Sequence, residues 1–60
     1  MINEKIKDKL INLWIKAEDE NRDENYNECL RLKDKWKKLF DKQNRETQKE
    51  VLDYLESIGG

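Results

Sequence analysis

Ile2, Ile6, Leu10, Leu13, Trp14 and Ala17 recur at three- and four-residue spacing along the first third of the chain, and Ile11 and Ile15 widen this stripe to an arc of roughly 220°. A helix lying against one neighbour needs a narrower apolar face, of about 100° or somewhat more. The first segment therefore reads as a helix over about residues 3–18 that touches two neighbours at once. In a chain this short, a second molecule is the expected source of one of them. Leu10, Ile11, Trp14 and Ile15 are the expected partner or self-association face.

The chain's size sharpens that expectation. Sixty residues make a single helical domain, 1–60, near the lower limit at which one hydrophobic core holds a fold without a staple. No staple is legible. Cys29 is the only cysteine and the chain has no histidine, so neither an intramolecular disulfide nor a Cys/His zinc site can form. With 45% of residues charged, the composition borders on that of disordered chains. A net charge of only −1 and the concentration of apolar residues at helical spacing argue for folding.

Two further segments show the same periodicity. The run Glu18 to Asn25 has no apolar anchor and reads as the first turn, rich in N-cap residues: Asn21-x-x-Glu24 and Asn25-x-x-Glu28 both resemble a capping box with Asn in the Ser/Thr role. Segment 2, about residues 24–43, places Tyr26, Cys29, Leu32, Trp36, Leu39 and Phe40 on one face, with Lys33 inside it and Leu30 off its edge. Its acidic start and basic end complement the helix macrodipole. Segment 3, about residues 47–58, aligns Thr47, Val51, Tyr54, Leu55 and Ile58. Thr47-Gln48-Lys49-Glu50 has the form of a capping box and Gly59 that of a C-terminal stop. The expected fold is thus all-α, a small antiparallel three-helix bundle with helix 1 at the centre. The competing reading joins segments 2 and 3 into one helix and yields a long-armed helical hairpin, because the stripe Trp36, Phe40, Thr47, Val51, Tyr54, Ile58 stays nearly in phase across the polar stretch between them.

Few constellations point to chemistry. Asp19-x-Asn21-x-Asp23 matches the first ligand positions of a calcium loop, but Glu24 stands where the turn needs Gly and Leu30 where the bidentate Glu belongs. The residues read instead as a solvated acidic turn. Cys29 has no histidine to activate it and reads as a small core residue. The aromatic residues sit at helical spacing and read as core. No phosphate-binding glycine loop, nucleophile elbow or metal motif is present, so no catalytic residue, cofactor or metal is expected and the chain reads as non-enzymatic.

Arg31, Lys35, Lys38, Lys42 and Arg45 follow 4-3-4-3 spacing and form a basic stripe about 21 Å long opposite the apolar face of segment 2. Such a stripe is long enough to run beside several phosphates of a duplex. Against this, acids slightly outnumber bases, 14 to 13, and no stacking aromatics are interleaved. The sequence therefore favours a small protein-binding regulator, adaptor or inhibitor that docks on a partner protein, self-associates, or both. A nucleic-acid-associated protein using the basic stripe is the alternative. No apolar run is long enough for a membrane span, and the first residues carry charges without an apolar secretory core, so a cytoplasmic location is expected. The abundance of Lys, Asn and Ile points to an A+T-rich genome, such as that of a low-GC bacterium or its phage.

Overall fold

Asn3 begins the fold: its side-chain oxygen accepts a hydrogen bond from the backbone N–H of Ile6 at 3.2 Å, satisfying one of the orphan donors of a helix start. The computed structural model describes residues 2–59, in which three helices follow: α1 (Glu4–Arg22), α2 (Tyr26–Asp41) and α3 (Arg45–Gly59). No strand occurs among the described residues.

α1 continues through Glu18–Arg22, five residues beyond the end of its apolar stripe. Glu and Arg are good helix formers, and no Gly or Pro interrupts them. The helix stops instead in a Schellman motif. The N–H of Glu24 donates to the carbonyl of Asn21 at 3.1 Å and that of Asn25 to the carbonyl of Glu20 at 2.8 Å. Glu24 occupies the left-handed position of this motif, with φ of 64°. The turn is therefore only Asp23–Asn25, and Asp19 and Asn21 belong to a helix rather than to an ion-binding loop.

α2 starts after Asn25, but the expected capping box does not form. The Asn25 amide turns back to donate to Glu20 Oε2 at 2.7 Å, and Glu28 is held by Arg31. A break separates α2 from α3, so the hairpin alternative does not apply. The cap of α3 is Asn44, whose Oδ1 accepts from the N–H of Thr47 at 2.9 Å. Thr47 thus sits one turn inside the helix rather than at its cap. Its buried hydroxyl accepts instead from the backbone N–H of Asn3 at 3.2 Å. Gly59 is the last helical residue and has no positive φ, so it is not the left-handed stop its identity suggested.

Successive helices run antiparallel, which makes α1 and α3 parallel. Trp14 meets Trp36 and Glu18 meets Lys33 across α1 and α2. Asn3 meets Thr47 and Lys7 meets Glu50, the latter at 4.0 Å, across α1 and α3. Helix α1 packs against both neighbours, whereas α2 and α3 barely touch. Near their connection Gln48 Nε2 donates to the carbonyl of Phe40 at 2.9 Å and fastens them together. The buried residues are Leu10, Ile11 and Ala17 of α1, Cys29 and Leu32 of α2, and Thr47 and Val51 of α3. Ala17, Cys29 and Leu32 cluster, with Leu13 against them. Two of the expected core aromatics lie outside this interior. Tyr26 is 58% exposed on the first turn of α2, and Tyr54 is exposed on the flank of α3 beside Ile11. A tyrosine tolerates such a position because its hydroxyl stays hydrated.

Candidate protein-docking groove

The parallel pairing of α1 with α3 brings Asn3 opposite Thr47 and Ile11 beside Tyr54, so α3 reaches its last residue while α1 still has turns to run. α2 and α3 meet near Phe40 and Gln48 and diverge from there. The result is a flattened molecule, 37 × 22 × 14 Å, with a notch between α2 and α3. Trp14, Glu18 and Arg22 of α1 line it together with Trp36 of α2 and, on α3, Leu52, Leu55, Glu56, Ile58 and Gly59. Its volume is about 640 Å³.

Trp14 and Trp36 line the notch as part of an aromatic ladder that continues to Phe40 behind them. Trp14 and Trp36 stand 5.0 Å apart between ring centroids at an interplanar angle of 60°, and Trp36 stacks on Phe40 at 4.6 Å and 14°. These tilted and stacked arrangements suit the quadrupoles of the rings. Lys33, which interrupts the apolar stripe of α2 in sequence, lays its ammonium 4.9 Å from the Trp14 ring centroid and 3.2 Å from Glu18 Oε1. Its stem covers apolar surface while its charge finds both a π-face and a carboxylate. Trp36 Nε1 is shut off from solvent and has no hydrogen-bond acceptor.

On α3 the notch is lined by a ridge. Leu52, Leu55 and Ile58 follow one another at three-residue spacing, with Leu52 49% and Ile58 51% exposed and Leu55 half-buried. Helical spacing places Leu55 and Ile58 on the inner stripe with Val51 and leaves Leu52 off it, whereas the structure turns Leu52 and Ile58 outward together. The signal was present as the repeat 52, 55, 58, lying beside the stripe that carries Thr47 and Val51 inward.

Of the four residues expected to form an association face, the structure leaves surface on two. Leu10 is 0% and Ile11 7% exposed, enclosed within the chain, because both neighbours required by the wide arc of α1 are its own α2 and α3. Trp14 lines the groove, and Ile15 is exposed outside it. The basic stripe is not continuous. Arg31 forks onto Glu28, through Nε to Oε2 at 3.1 Å and through a second nitrogen to Oε1. Lys38 pairs with Asp34 at 3.1 Å. Lys35 is exposed on α2, Lys42 caps that helix, and Arg45 lies beyond the break on α3. The fork onto Arg31 holds the Glu28 carboxyl below its ordinary range and raises the guanidinium.

Cys29 is a buried free thiol. Among the described residues no group of three or more metal-ligating side chains converges, and no helix is long and apolar enough to cross a membrane. No family model, curated protein or solved structure matches this chain.

Proposed function

We propose that this chain is a small, non-enzymatic protein-binding module, a regulator or adaptor that acts by receiving an apolar helix of a protein partner in the notch between α2 and α3. The observation that carries this reading is the groove itself: two tryptophans and a ridge of three aliphatic residues line it, with Glu18, Arg22 and Glu56 beside them. Tryptophan anchors surrounded by apolar contacts and a polar border are the composition of binding hot spots. A notch bounded by two helices and floored by a third has the shape that an amphipathic helix fills.

A photoreactive amino acid placed at Leu52 tests the reading. It should form a crosslink to a discrete protein, and the crosslink should disappear when Ile58→Glu is added. The same probe at Lys35, on the basic face, should not capture that protein. Capture from Lys35 and none from Leu52 would place the working face on α2 and refute the groove.

A further inference from the structure

We infer that the occupant of the groove is a second copy of this chain, which lays its own α3 antiparallel into the notch to form a two-fold symmetric dimer. This inference rests on the reading of the groove as a helix-docking surface. Three observations lead to it.

The first is self-complementarity. An isologous contact needs one patch that is both projection and recess. Here the ridge Leu52, Leu55, Ile58 forms one wall of the notch and is itself half open to solvent. With a two-fold axis passing near Leu55, Leu52 lies opposite the partner subunit's Ile58, and each ridge enters the other's notch.

The second is area. A compact monomer of 7.3 kDa is expected to expose about 4,200 Å². This chain exposes 4722 Å². The surplus of roughly 500 Å² approaches the area that each partner contributes at the lower end of specific interfaces.

The third is charge. Glu18 is already engaged by Lys33, which leaves Arg22 and Glu56 as a base and an acid on the same rim. A rim of one sign repels its own copy. A rim that carries both signs has no such net repulsion.

Sedimentation of the full chain tests this. At high-micromolar concentration the wild type should sediment at twice its monomer mass and move toward the monomer on dilution. Leu52→Glu with Ile58→Glu, both at half-exposed positions, should weaken dimerisation about a hundredfold or more while leaving the helical circular dichroism unchanged. A wild type that remains monomeric at all concentrations overturns the inference. A dimer indifferent to the Leu52 and Ile58 changes does so as well. Neither result bears on capture of another protein from Leu52, so the docking reading stands or falls separately.

Discussion

Trp36 packs between Trp14 and Phe40, within 5.0 Å of both rings between centroids, yet its indole N–H reaches neither solvent nor an acceptor. A buried donor without a partner costs about 1–3 kcal/mol, an amount comparable to the packing that the larger ring adds. Trp36→Phe removes the orphan donor and retains a ring against Phe40. It should change stability by less than about 1 kcal/mol, whereas Trp36→Ala should cost about 2 kcal/mol or more. Urea denaturation of the two variants measures the difference.

The two asparagines that precede α2 and α3 do different work. Asn44 caps α3 through its side chain, while Asn25 directs its amide to Glu20. Asn44→Ala should therefore cost about 1 kcal/mol. Asn25→Ala should cost no more than about 0.5 kcal/mol. Equal losses in thermal melts would show that the caps are equivalent in solution.

Glu24 holds φ at 64°, a conformation that costs an L-residue roughly 1–2 kcal/mol and glycine almost nothing. Glu24→Gly should stabilise the fold by about 1 kcal/mol, which in a domain of this size raises Tm by about 4–8 °C. A lowered Tm would mean that the turn does not adopt the Schellman geometry.

Acid should loosen α2 through Glu28. Its carboxyl is held below the ordinary range by the hydrogen bonds from Arg31, with desolvation opposing. A group whose pKa is depressed by folding adds stability above its unfolded pKa, and that stability is lost as pH falls through the folded value. The pair lies at the surface and is screened by solvent, so the effect is small. Tm plotted against pH should fall more steeply on the acid side for the wild type than for Glu28→Gln, the two curves converging once Glu28 is protonated.

The helical periodicity of all three segments was legible in the sequence, as were the central place of α1, the burial of Cys29 and the break before α3. The local signals at helix ends were less so, because several residues there compete for the same role. Thr47 has the better capping-box sequence, yet Asn44 wins the cap, and Thr47 is buried as the acceptor for Asn3. No sequence signal marked Glu24 as left-handed, since that position usually belongs to Gly or Asn. The groove was the least legible feature. The wide arc of α1 correctly required two neighbours, but periodicity does not say which chain provides them, and both proved to be internal. The open surface instead depends on the angle at which α2 and α3 diverge, which no residue spacing encodes. The basic stripe is continuous only along a single helix axis, and the break between Asp41 and Arg45 divides it.

The central claim is that the Trp14–Trp36 groove, and not the basic face of α2, binds protein. The most direct measurement compares two variants for binding to the protein captured from Leu52, at low and high salt. Leu52→Glu with Ile58→Glu should abolish binding. Removal of Arg31, Lys35, Lys38 and Lys42 should leave it intact, with little dependence on salt, because an apolar contact releases no counterions. Loss of binding on removing the four cations, with a steep salt dependence and no effect from the Leu52 and Ile58 changes, would contradict the account.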